Sequence, residues 1–78
     1  MTAYRIKALE WKRRAGIDIA CFGLGWYEIH KLNRQFYPYI ITNTHRCIDG
    51  HGISALNIAK YKCQQDFELR IKQVLEQV

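Results

Sequence analysis

The stretch that decides the fold is residues 54–78, SALNIAKYKCQQDFELRIKQVLEQV. Within it Leu56, Ala59, Cys63, Phe67, Ile71, Val74 and Val78 recur at steps of 3, 4, 4, 4, 3 and 4. Such steps keep side chains on one face of a helix with about 3.6 residues per turn. Ser54 precedes the run as a predicted N-cap, because its hydroxyl can accept from a free N–H of the first turn. Neither Gly nor Pro interrupts the stretch. Its apolar stripe alone does not offset the conformational entropy lost in ordering 25 residues. The helix is therefore predicted to dock on the rest of the chain, with the stripe defining the core.

Upstream the pattern changes to period two. Tyr4 to Trp11 reads as extended, with Leu9 and Trp11 on one face. Lys12-Arg13-Arg14-Ala15-Gly16 reads as a basic turn. Ile17, Ile19 and Cys21 then alternate with Asp18, Ala20 and Phe22, and Gly23 and Gly25 around Leu24 predict a tight reversal. From Gly25 to His30 the next strand puts Tyr27 and Ile29 on one face and Trp26, Glu28 and His30 on the other. A turn is predicted at Leu32-Asn33-Arg34-Gln35. Phe36 to Thr42, rich in β-branched and aromatic residues, predicts a fourth strand. Pro38 has no ladder donor, which predicts an edge position there. Asn43 to Ile53 reads as a polar loop. The expected class is α+β, an antiparallel sheet of three to four strands packed against one C-terminal amphipathic helix. One domain is expected, residues 1–53 giving sheet and loops and residues 54–78 the helix.

Composition narrows the function classes. With 49% apolar and 24% charged residues the chain is not of the disordered type. No apolar run approaches the roughly 20 residues of a membrane span, and MTAYRIKALEWKRR lacks the apolar centre of a secretory signal. A cytoplasmic protein without membrane contact is expected. Cys21, Cys47 and Cys63 are an odd set with no C-x-x-C pair, which fits reduced thiols rather than a disulfide framework. Net charge is +5. Residues 1–53 hold eight Lys or Arg against four Asp or Glu, and residues 54–78 hold four against three. The basic excess thus belongs to the sheet and its loops, where it suits nucleic acid or an acidic protein. Its plainer reading is solubility.

Three groupings are candidate sites. Lys12, Arg13, Arg14, Lys31 and Arg34, with Trp26 and Tyr37 on an open sheet face, would suit single-stranded nucleic acid through charge and stacking. On the helix, Ile58 and Leu69 are eleven residues apart and Tyr61 lies within about a turn, opposite the core stripe, as a partner face or homodimer seam. In the loop His45, Cys47, Asp49 and His51 occupy alternate positions and have the chemistry of metal ligands. Gly50 argues for a turn that breaks their alternation, so a polar loop is expected with neither metal nor cofactor. Cys47 beside His45 or His51 is the nearest approach to a nucleophilic pair, but nothing flanks it as an oxyanion site. The expectation is a protein that is not an enzyme.

Leu9-Glu10-Trp11, Ala20, Gly25-Trp26-Tyr27-Glu28-Ile29, Ser54-Ala55-Leu56-Asn57-Ile58-Ala59-Lys60, Gln65-Asp66-Phe67 and Arg70-Ile71 together resemble a group of short phage and prophage proteins. Those read roughly L-x-W, an alanine, G-x-Y-x-I, a polar loop, and a helix carrying A-K and Q-D-(Y/F)-E-x-R-I. The present chain departs at Asn57, where an acid is usual, and in its longer His/Cys loop. The resemblance implies a core of Leu9, Trp11, Tyr27, Ile29, Ala59, Phe67 and Ile71 and supplies no catalytic residue. By analogy with small anti-defence proteins, anti-CRISPR proteins among them, it implies a stoichiometric inhibitor of a host defence machine such as a CRISPR effector. The partner would then be a host protein or nucleoprotein complex. The alternatives are a small basic nucleic-acid-binding accessory protein and a structural or dimerising module.

Overall fold

Period-two burial organises the first half of the chain. Asp18 and Ala20, then Tyr27 and Ile29, then Pro38 and Ile40 are buried, while the residues between them remain partly or fully accessible. These pairs lie in β2 (Ile17–Cys21), β3 (Trp26–Leu32) and β4 (Gln35–Ile41) of a computed structural model that describes the chain from residue 7 to residue 76. Two three-residue strands, β1 (Lys12–Arg14) and β5 (His45–Cys47), flank them. The five strands form one antiparallel sheet in the order β1-β2-β3-β4-β5, and α1 (Leu56–Glu76) packs on it through β4 and β3. The α+β class predicted from sequence is the one observed.

Both extra strands fall where loops were expected. Lys12-Arg13-Arg14 is not a turn but a strand, with Arg13 opposite Asp18, and the turn is confined to Ala15 and Gly16, at φ 51° and 78°. Ahead of it, residues 7–11 form no strand, and the rest of the extended segment expected from Tyr4 lies outside the described residues. Within the expected polar loop, residues 45–47 pair with residues 39–41 and Ile53 makes an isolated bridge to Phe36. β4 is therefore an interior strand. The Pro38 carbonyl accepts from the Ile48 N–H at 2.8 Å on the β5 side. In an antiparallel strand a residue's N–H and C=O point the same way, so the donor that Pro38 lacks falls just past the last β4–β5 pair.

The hairpins obey local rules. Asn33 and Arg34, with φ of 52° and 64°, make a two-residue turn of the type whose twist matches the strands it joins. Between β2 and β3 the Phe22 N–H donates to the Gly25 carbonyl at 3.1 Å. Gly25 is required there, because a Cβ would lie 2.1 Å from the Ile41 carbonyl oxygen.

The core is Leu9, Ala20, Tyr27, Ile29, Ile40, Ile53, Ala59 and Cys63, with Trp11, Phe22, Phe36, Ile48, Leu56 and Phe67 packed around it. Ala59 and Cys63 of the helix have no exposure, and their small size lets α1 lie close on the sheet. Phe22 sits between Tyr27 and Phe67, with ring centroids 5.1 and 5.7 Å away. The stripe frays toward its end: Val74 is 54% exposed, because the sheet beneath has run out, and Val78 lies outside the described residues. The helix also starts later than expected. The Ala55 carbonyl accepts the first helical bond, from Ala59 at 3.1 Å, so Ala55 rather than Ser54 holds the N-cap position.

Polar side chains then fix the helix at three points. The Tyr27 hydroxyl donates to Asp66 at 2.7 Å, and Arg70 donates to the same oxygen at 2.8 Å. Gln64 accepts from the Leu9 N–H at 2.8 Å, pinning the N-terminal segment across the helix. Lys62 donates to Asp49 at 2.7 Å, which holds the loop after β5.

Candidate functional site

A sheet with one helix has one covered face. Antiparallel sheets usually leave the other face polar. Here the register places Lys12 and Arg14 of β1, Ile17, Ile19 and Cys21 of β2, Trp26, Glu28 and His30 of β3, Tyr37, Tyr39 and Ile41 of β4, and His45 and Cys47 of β5 on that open face. Much of it is apolar or aromatic, and no element covers it among the described residues.

Its centre is a carboxylate. Glu28 Oε2 accepts from the Trp26 indole N–H at 2.5 Å, and Glu28 Oε1 is 2.8 Å from His30 Nε2. Residues two apart on a strand share a face, which is why three consecutive alternate positions converge. His30 in turn meets the Tyr39 ring edge-on at 5.2 Å, and His45 meets Tyr39 from the other side at 5.1 Å. Desolvation by itself would raise the Glu28 carboxyl, but the hydrogen bonds from Trp26 and His30 outweigh it and hold the group below the usual carboxylate range. Trp26 remains 37% exposed, so its ring is fixed in orientation yet accessible.

Beside Trp26 the face dips into a hollow of about 520 Å³ lined by Glu10, Lys12, Arg14, Ile19, Cys21, Trp26 and Glu28. The size is that of a small-ligand site. It has an aromatic wall and an apolar floor, cations from β1 along one rim, and carboxylates at Glu10 and Glu28. Glu10 also pairs with Lys7 at 3.3 Å on the surface.

The residues singled out from sequence divide differently from their order in the chain. Lys12 and Arg14 reach the open face, but Arg13 alternates to the helix side, where it clasps the buried Asp18 at 3.2 and 3.3 Å. Lys31 is also on the helix side, its Nζ 5.7 Å from the Phe36 ring centroid. Arg34 is at the tip of the β3–β4 hairpin. Ile58, Tyr61 and Leu69 are 46%, 61% and 60% exposed, on the side of α1 turned away from the sheet. The structure therefore offers two separate surfaces, with the sheet and helix between them.

Along the loop, His45 and Cys47 share the open face in β5, but the alternation stops there. Asp49 is taken by Lys62 and by the His51 N–H at 2.9 Å, and a turn at Gly50 and His51 carries His51 away. No three His, Cys, Asp or Glu side chains among the described residues are grouped to hold a metal ion. Among the described residues no helix is long and apolar enough to cross a membrane.

Glu28 and Tyr39 were not singled out in the sequence as site residues. The signal for Glu28 was present, since Trp26, Glu28 and His30 fall on one strand face. Tyr39 carried no such mark, because its role depends on the β3–β4 register that sets it opposite Glu28. Compared with known proteins, the chain matches no family model, no curated protein and no solved structure.

Proposed function

We propose that this protein is a non-catalytic binding module that works by stoichiometric contact through the open face of its sheet. The observation that carries the reading is the Trp26–Glu28–His30 array: an indole and an imidazole fixed by one partly buried carboxylate, on a face that no helix covers among the described residues. Rigid aromatic groups with a polar handle are the side chains that dominate recognition surfaces. Chemistry by a thiol has less support. Cys63 is buried and pushed up to about 12, chiefly by desolvation, while His45 beside Cys47 sits edge-on to Tyr39.

The narrower reading, an inhibitor of a host defence machine working in the host cytoplasm, rests on the resemblance to short phage and prophage proteins. Capture from host lysate tests both levels. The chain should retain a discrete partner, and Trp26→Ala combined with Arg14→Glu should release it. Retention undiminished by that double variant would remove the open face from consideration. Recovery of a partner unrelated to defence would remove the narrower reading alone.

A second surface has its own observation, the exposed line of Ile58, Tyr61 and Leu69. As a homodimer or partner seam it predicts that Leu69→Glu lowers the sedimenting mass or partner affinity without unfolding the chain.

A further inference from the structure

We infer that the hollow beside Trp26 seats one nucleotide of a single-stranded nucleic acid, with the base on the indole, its amino edge toward Glu28 and its phosphate on Lys12 and Arg14. The inference rests on the open face being the contact surface and names what that face contacts.

Lys12 and Arg14 on β1, with Glu10 just ahead of them along the same edge and Glu28 facing them from β3, make the hollow unsuited to a simple anion or a simple cation. An acidic peptide would meet the two carboxylates, and an arginine-bearing peptide would meet the two cations. A nucleotide carries an anion, a flat ring and ring-edge N–H donors in one unit, so it uses all three kinds of wall. Glu28 has the capacity for this. An ionised carboxylate has about four lone-pair sites, and Trp26 and His30 take one each. The indole is held by that same carboxylate, so stacking on it freezes little further motion. The volume of about 520 Å³ is in the range of small-ligand sites.

Continuity of the strand favours a polymer over a free nucleotide. Tyr37, Tyr39 and Ile41 extend the aromatic and apolar surface across β4, away from the basic rim, which gives neighbouring bases a platform. The chain as a whole is +5, which raises the local concentration of a polyanion. A duplex keeps its bases stacked inside and presents no ring to Trp26, so single strands are the form that fits.

The test is fluorescence anisotropy with labelled eight-nucleotide single strands of mixed sequence, the matching duplex and a mononucleotide, on the intact chain. Single strands should bind, with the duplex and mononucleotide at least about tenfold weaker. One phosphate held by Lys12 and Arg14 predicts a log–log salt slope of about −0.7. Trp26→Ala should weaken binding on the order of ten- to a hundredfold, while Trp26→Phe keeps most of it. Arg14→Glu, an exposed change at an edge strand, should weaken binding independently of any effect on the fold. Equal binding of duplex or mononucleotide, no binding at low salt, or indifference to both Trp26→Ala and Arg14→Glu would overturn the inference. If oligonucleotides fail but a lysate protein is lost on the same variants, the ligand assignment falls and the open face stands. If neither oligonucleotide nor protein depends on them, both fall.

Discussion

Tyr27 is fully buried under the helix, yet its hydroxyl reaches out to Asp66, 2.7 Å away across 39 residues of sequence. That bond joins the central strand to the middle of α1. Asp66 is shared with Arg70 one turn on, so strand, carboxylate and guanidinium form one chain of contacts. Tyr27→Phe keeps the ring packing against Phe22 and removes only the donor. It should cost about 1.5 kcal/mol, or roughly 6–12 °C in Tm for a domain of this size, by thermal or urea unfolding.

The three thiols should report the fold directly. Cys21 and Cys47 are exposed and Cys63 is buried. A colorimetric thiol reagent at neutral pH should titrate two groups quickly and the third only when the chain opens. Three fast groups would mean that the helix does not sit on the sheet as described.

Alkaline stability follows from the same residue. Burial, and secondarily the nearby Asp66, push the Cys63 thiol from 9.0 up to about 12. The folded chain thus holds this proton more tightly than the unfolded one. The contribution is complete below about pH 9 and is lost as pH rises toward 12. Tyr27 behaves likewise: desolvation, then its bond to Asp66, raise its hydroxyl well above 10.0. Urea midpoints should fall from pH 9 upward in the wild type. In Cys63→Ala the fall should begin only near pH 10, and that remainder belongs to Tyr27.

Glycines 25 and 50 should respond in opposite directions to the same change. A Cβ at Gly25 would collide with the Ile41 carbonyl, a backbone atom of a paired strand that cannot move aside. Gly25→Ala should cost about 2–3 kcal/mol or more. At Gly50 a Cβ meets nothing within 4 Å, and the backbone is not left-handed. There alanine should be neutral or stabilising by about 0.4–1 kcal/mol, through a smaller unfolded ensemble. Paired melting curves of the two variants decide the matter.

What was legible in the sequence was periodicity; what was not was edge and register. The helix and strands β2 to β4 repeat long enough for burial to write a pattern: Tyr27 and Ile29 against Trp26, Glu28 and His30 is one, and Ala59, Cys63 and Phe67 another. Three residues write none. Lys12-Arg13-Arg14 looks like a turn because a charged edge strand has no apolar face to show, and such charge is how edges avoid further pairing. Arg46 likewise hides β5. The Ser54 cap failed because Ile53 is still bridged to Phe36, which keeps the chain extended past the point where a Ser54-capped helix would begin. The open face was half legible. Its β3 row is written in one strand, whereas its joining to Lys12, Arg14 and Tyr39 exists only once the sheet is paired.

Glu28 supplies the acid-side prediction. Burial opposes its charge, but Trp26 and His30 hold its carboxyl below 4.5 in the folded chain. A lowered folded pKa contributes stability that is present above about pH 4.5 and lost as pH falls through the folded value. Asp49, held low by Lys62 and then by the His51 N–H, adds a second loss at lower pH, below its ordinary value of 3.8. The Glu28 part is therefore the difference between the wild type and Glu28→Gln, whose unfolding midpoint should depend less on pH below 4.5. At pH 7 the variant should lose about 1 kcal/mol, since the carboxylate accepts through both oxygens, whereas an amide has one acceptor oxygen and turns an NH2 donor toward the other partner. A local reporter separates this from global effects. In a Trp11→Phe background the emission comes from Trp26 alone, and it should shift on acidification while far-ultraviolet dichroism stays constant. Glu28→Gln should show the shifted emission already at pH 7. Emission that follows only the dichroism would mean that Glu28 does not fix the indole, and the open face would lose its ordered centre.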